Sequence, residues 1–170
     1  MRIRIIVLLI VFFNVAYSQQ KDSLINEFQK ECDEFEGHCF YFHKNARWKN
    51  GFYPYILEKD HKYTLQFHIS YIGKDWLFVH SVQAKIKDMI FDVVNNADFK
   101  QSIVSDGISE DIDFVVNKEL MTKLNFIVKD DIIKLRFSGV DYFEDRTLHK
   151  YQSDPIEKTM KLYNLLTPQK

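Results

Sequence analysis

Apolar residues recur at two different periods along this chain, and the switches between them lay out its elements. From 22 to 35, Leu24, Ile25, Phe28, Cys32 and Phe35 fall at three- and four-residue steps, with Asn26, Glu27, Lys30, Glu31 and Glu34 between them. That spacing predicts an amphipathic helix, with Gly37 just past its end. The stretch "HCFYFHK" from His38 then reads as a short aromatic strand, and "WKNGFYPYIL" adds extended segments around an Asn50-Gly51 turn signal.

The next two segments alternate with period two. Tyr63, Leu65, Phe67, Ile69 and Tyr71 oppose Thr64, Gln66, His68 and Ser70; Trp76, Phe78, His80, Val82, Ala84 and Ile86 oppose Ser81, Gln83, Lys85 and Lys87. A Gly73-Lys74 turn of type II′ joins them as a hairpin and pairs Ile69 with Phe78, Phe67 with His80 and Leu65 with Val82, all on one face. A turn longer by one residue would set His68 opposite His80 but would mix apolar and polar faces, so the pattern selects the first register. His80 then belongs to the core face and His68 to the exposed face, and the two imidazoles cannot cooperate.

Further strands are expected at Met89–Val94, Ile112–Val116 and Ile132–Phe137, with a polar stretch between Asn95 and Glu110 that follows neither period. Asn117 is placed to cap a helix over Lys118–Asn125 that turns Leu120 and Leu124 inward. A last helix starts with Asp154 as cap, Pro155 at the first position and Glu157 at the capping-box spacing, with Ile156, Thr159, Met160, Tyr163 and Leu166 on one face. The expected fold class is therefore α+β: an antiparallel sheet of about five to seven strands, with an N-terminal, an internal and a C-terminal helix packed on one face.

Composition narrows the picture. The 170 residues suit one domain; 46% are apolar, enough for a real core, and 5 glycines with 3 prolines argue against a linker-rich chain. Arg2 and Arg4, the apolar run Ile5–Phe13 and Ala16-Tyr17-Ser18 have the layout of a secretory signal peptide over residues 1–18, leaving 19–170 as a single α+β domain. The run is too short to span a bilayer, and no transmembrane segment is expected after cleavage. The expected location is outside the cytoplasm, periplasmic or secreted in a bacterium. Cleavage takes two arginines from a chain of formal net charge −1, which leaves no basic stripe for nucleic acid.

Candidate chemistry is sparse. Cys32 and Cys39 permit a disulfide in an exported protein, and equally permit two buried thiols acting as small apolar groups. His38, Cys39 and His43 lie close in sequence, but a strand would point His38 away from the other two, and no structural zinc spacing is present; no metal site and no cofactor are expected. "GVDYFEDRTLHKY" gathers Asp141, Glu144, Asp145, Arg146 and His149, a set that could do acid–base work or form a solvated loop with an arginine ion pair. "EDID" at 110–113 reads as a polar strand entry. Nucleophile elbows, zincin motifs and phosphate-binding glycine loops are missing. Trp48, Phe52 and Tyr55 cluster around Pro54 as core or as a contact patch for a glycan, peptide or protein.

"YIGKDWLFVHSV" and "LRFSGVDYFEDRTL", followed by an amphipathic helix, resemble small exported bacterial proteins of unknown function that carry a Y-x-G-x-D-W-L-F hairpin and an R-F-x-G-x-x-Y-F strand. The resemblance covers about Tyr63 to Leu166 and implies Asp75-Trp76 and Arg136-Phe137 as framework residues, with no catalytic or binding role. The functional expectation is an exported, non-enzymatic binding or cell-envelope accessory protein that recognises a protein, peptide or glycan. The alternatives are a small hydrolase using the acidic loop 141–149, and an inhibitor- or immunity-like protein presenting Asn95–Glu110.

Overall fold

Among the described residues of the computed structural model (22–46, 51–105, 107–148 and 150–167), ten strands pair antiparallel in two sheets. The expected signal segment, Trp48 and His149 lie outside the described residues. The large sheet contains β1 (Phe28–Asp33), β2 (His38–His43), β3 (Phe52–Lys59), β4 (Lys62–Gly73), β7 (Lys100–Val104) and β8 (Gly107–Val115), in the order β1-β2-β3-β4-β8-β7. The small sheet contains β5 (Ser81–Ile86), β6 (Met89–Val94), β9 (Ile133–Ser138) and β10 (Phe143–Thr147), in the order β10-β9-β5-β6. Helix α1 (Lys118–Leu124) touches β6, and α2 (Ser153–Leu166), entered through a 3-10 turn at Lys150–Gln152, lies against β2, β3 and β4. The antiparallel α+β character is as expected; the division into two sheets and the placement of the helices are not.

The N-terminal helix is a single turn at 22–25, and Phe28–Asp33 is a strand. A local polar turn and a covalent bond override the helical spacing. The Asp33 carboxylate accepts the amides of Phe35 and Glu36 at 2.9 and 3.0 Å, and Gly37 closes the turn at φ 64°. The chain returns with Cys32 directly opposite Cys39, and the two are joined as a disulfide with Cα atoms 4.0 Å apart. Phe35, expected on an apolar stripe, stands fully exposed at the tip.

The hairpin across Gly73-Lys74 does not form either. β4 pairs with β3 and β8, while β5 pairs with β6 and β9, so the segment between them crosses from one sheet to the other. The apolar alternation slips at Phe78, whose φ is +54°. Leu77 and Val79 are buried, while Phe78 and His80 are exposed, before Val82, Ala84 and Ile86 resume the buried phase. His80 is thus not a core residue; its Nε2 lies 3.1 Å from the Gly139 carbonyl oxygen. The slip is held by Glu110 of β8, which is fully buried and accepts the amides of Leu77, Phe78 and Val79 at 2.8, 3.0 and 2.7 Å. Successive amides around one left-handed residue make a concave anion site, here filled by the protein's own carboxylate. The β9–β10 turn closes on the same crossover: a Cβ at Gly139 would stand 1.9 Å from the Leu77 carbonyl oxygen, which only glycine avoids.

The inner faces of both sheets share one apolar cluster. Ile56, Leu65, Phe67 and Ile69 from the large sheet meet Val82, Ile133, Leu135 and Phe137 from the small one, with Leu120, Leu124, Ile156, Met160 and Leu162 from the helices. Tyr71 and Phe137 link the sheets ring to ring at 5.5 Å. Helix α1 has the expected cap, Asn117 accepting the Leu120 amide at 2.8 Å. Helix α2 starts two residues early: Asp154 lies inside its first turn and pairs with Lys158 at 3.0 Å, and Gln152 occupies the cap position without capping the helix through its side chain.

Replacing Glu110 by Ala leaves three amides without their acceptor and should cost more than about 3 kcal/mol in urea unfolding; Glu110→Gln, which keeps one carbonyl oxygen, should cost roughly half. Breaking the Cys32–Cys39 link should lower stability by about 2.5 kcal/mol, the loop-closure value for a ring of this size; unfolding midpoints with and without reductant measure it.

Candidate functional site

The outer face of the large sheet is built by strict alternation on β4. Leu65, Phe67 and Ile69 point into the core, so Gln66 and His68 point out. Register then sets the neighbours: Tyr53, His68 and Asp113 form one row across β3, β4 and β8, and Tyr55, Gln66 and Val115 form the next. His68 Nδ1 lies 3.0 Å from Asp113 Oδ1. The Tyr53 ring sits 5.0 Å from the imidazole centre, and Gly51 presses on its edge so closely that a Cβ there would lie 2.9 Å from His68 Cδ2. Phe40, Phe42 and Tyr55 continue the face as an aromatic group, with Phe42 stacked on Tyr55 at 5.1 Å and Phe40 at 5.8 Å from Phe42.

Asp113 ties this face together electrostatically. Burial works to raise its carboxyl, but the bond from His68, that residue's charge and the Tyr55 hydroxyl outweigh burial and hold it below the usual range. The Tyr55 hydroxyl is pushed well up, first by burial and then by the Asp113 charge and hydrogen bond. His68 is therefore fixed in plane, with Nδ1 committed and Nε2 without a protein partner among the described residues.

The residues expected to form an aromatic patch are divided between the two sides of the sheet. Phe52 is 2% exposed and packs on Phe67 at 4.6 Å, while Tyr55 lies on the outer face but is largely covered. Parity explains the split, since positions 52 and 55 must face opposite ways on one strand.

The acidic stretch is strand β10 rather than a loop, and its carboxylates diverge. Glu144 turns inward, accepting the Tyr71 hydroxyl at 2.8 Å and Arg146 Nε at 2.9 Å. The Arg146 guanidinium stacks 4.4 Å from the Tyr71 ring and donates to the Ile72 carbonyl at 2.8 Å. Burial, then the Glu144 bond, pushes the Tyr71 hydroxyl up. Asp145 turns outward into a two-point pair with Arg136 at 2.7 Å in each arm, which holds it below the usual range. Asp141 is exposed in the β9–β10 turn. Glu144 and Asp145 thus cannot share one acid–base site. The polar stretch Asn95–Glu110, which follows neither period in the sequence, contains β7 and the start of β8, with Ile103 86% exposed on the edge strand. Among the described residues, no group of three or more His, Cys, Asp or Glu side chains is placed to hold a metal, and no helix is long and apolar enough to cross a membrane.

The sequence raised His43 only as a metal ligand beside His38 and Cys39, and the structure gives it a different setting. It is 2% exposed, on the inner side of β2 beside Tyr41, as the alternation of "HCFYFH" could have indicated. Its Nδ1 accepts the Asn45 amide at 3.2 Å; its Nε2 lies 3.6 Å from Glu27 Oε2 without forming a hydrogen bond. Lys158 bonds both Glu27 and Asp154 beside it. Burial, followed by the Lys158 charge, lowers the His43 pKa, partly offset by Asp154 and Glu27. No protein-family model, no curated protein and no solved structure matches the chain.

Because the folded protein resists protonating His43, the unfolded chain binds the extra proton in the window just below pH 6.5. The stability this residue contributes is complete above that pH and falls as the pH drops through the window toward the lowered folded value. Urea midpoints from pH 5 to 7.5 should slope upward in the native chain and more weakly in His43→Gln; equal slopes would refute the assignment.

Proposed function

We propose that this chain is an exported, non-enzymatic binding protein of the bacterial envelope or exterior, and that it holds a glycan on the outer face of the large sheet. The observation that carries the reading is the His68–Asp113 pair: an imidazole locked by Asp113, Tyr53 and Gly51, with Nε2 left without a protein partner among the described residues. A fixed acceptor or donor of this kind suits a sugar hydroxyl, and the Gln66 amide in the neighbouring row offers both hydrogen-bonding senses. The partly exposed ring of Phe40 offers apolar surface to the C–H face of a pyranose. Rigid strands supply the geometry, and little ordering is needed on binding. The divergence of Glu144 and Asp145, each engaged by an arginine, favours binding over hydrolysis.

Titrating the protein with chitotetraose and with cellotetraose, followed by amide NMR, tests the reading. Saturable shifts centred on Gln66, His68 and Val115 are expected, and His68→Ala should weaken binding about tenfold, the worth of one well-placed hydrogen bond. Shifts unchanged by His68→Ala, or cleavage of either oligosaccharide, would sink it.

A further inference from the structure

The outer face of the small sheet poses a separate question, independent of the glycan reading. Its cross-strand rows are complementary except for one. In the row Asp92, Gln83, Arg136 and Asp145, Gln83 donates to Asp92 at 2.8 Å and Arg136 clasps Asp145. In the next row, Lys85 stands directly opposite Lys134, with Ile90 and Thr147 at the two ends. Like charges in directly opposed positions weaken a sheet. Neither lysine has a carboxylate partner among the described residues: Asp145 is taken by Arg136 and feels Lys134 only as a nearby charge, and Asp131 pairs instead with Lys87 at 3.0 Å. Both lysines are exposed, and a depression of about 380 Å³ opens over them, lined also by Gln83, Arg136, Arg146 and Thr147 and by Asp145, whose carboxylate is held by Arg136.

We propose that the Lys85–Lys134 row binds the phosphate group of a phosphate-bearing ligand. Two ammonium groups on facing strands match the one to two negative charges of a phosphate, and an anion between them turns the repulsive row into an attractive one. The Gln83 amide and Thr147 hydroxyl supply neutral donors within the same depression. The phosphate can belong to a soluble compound or to a lipid headgroup; the chemistry at the two lysines is the same.

The test is NMR titration with inorganic phosphate at constant ionic strength, against chloride and acetate, with the vesicle arm run in parallel. Saturable shifts centred on Lys85 and Lys134, stronger with phosphate, are expected. Lys85→Gln should weaken binding about fivefold, the usual contribution of one lysine facing an anionic surface. Lys134→Glu should abolish binding yet raise the melting temperature in phosphate-free buffer, because it replaces repulsion with a cross-strand ion pair; that gain rules out misfolding as the cause of the loss. Binding to phosphatidylcholine vesicles containing phosphatidylglycerol, competed by inorganic phosphate, would assign the group to a lipid. Phosphate binding without vesicle binding would assign it to a soluble ligand. Equal shifts with phosphate and chloride, or phosphate binding retained in Lys134→Glu, would overturn the proposal.

Discussion

A single buried carboxylate decides how this chain becomes two sheets. Glu110 sits opposite Tyr71 in the β4–β8 ladder, at the point where β4 is about to leave the large sheet. By accepting the amides of Leu77, Phe78 and Val79 it fixes a left-handed residue in the crossover and delivers β5 to the small sheet with its apolar side inward. A bare carboxylate in a core is costly; one that accepts three amides is compensated, and so are the amides, which no strand partner would otherwise satisfy at this bend. Everything downstream follows from that geometry, including the burial of Leu77 and Val79 and the close seat of Gly139 against Leu77.

The same end of the molecule carries the second polar link between the sheets. Tyr71 from β4 donates to Glu144 of β10, and Arg146 bonds Glu144, stacks on Tyr71 and reaches the Ile72 carbonyl. Sliding one sheet over the other would break this set together with the Glu110 nest. Apolar contacts alone are tolerant of such shifts; hydrogen bonds, which weaken steeply as they lose alignment, are not.

The difference between what could be read and what could not follows from how local each cause is. Helix α1 was legible because Asn117 and the Leu120–Leu124 spacing lie within one segment, β9 because its alternation is unbroken, and β2 and β6 because each is a short, strongly apolar run. The strand at Phe28–Asp33 was misread as a helix because its determinants are a turn around Asp33 and a bond to Cys39, and neither leaves a trace in the period of apolar residues. The β4–β5 hairpin was misread because Phe78 reverses the phase through a contact from Glu110, a residue more than thirty positions away that reads on its own as a polar strand entry. Of the proposed glycan face, His68 was correctly placed on the outward side. Its pairing with Asp113 was not visible, since it requires β8 to lie beside β4, which no short-range pattern announces.

The two outer faces differ in a way that bears on how they could act. On the large sheet His68 is held in place by Asp113, Tyr53 and Gly51, so a ligand there would meet a preformed surface and change little in the protein's own energy. On the small sheet the Lys85–Lys134 row is held in a strained charge arrangement by the strand register, so an anion bound there relieves a cost already present in the fold. On the two proposed readings, the first face would select by shape and hydrogen-bond direction, and the second would respond to charge and hence to ionic strength. Because Glu110 and the Tyr71–Glu144–Arg146 set pin the sheets together, occupying one face has no evident sliding motion through which to alter the other. The two surfaces should therefore behave as independent sites on one rigid body, and coupling between them would require the crossover itself to rearrange.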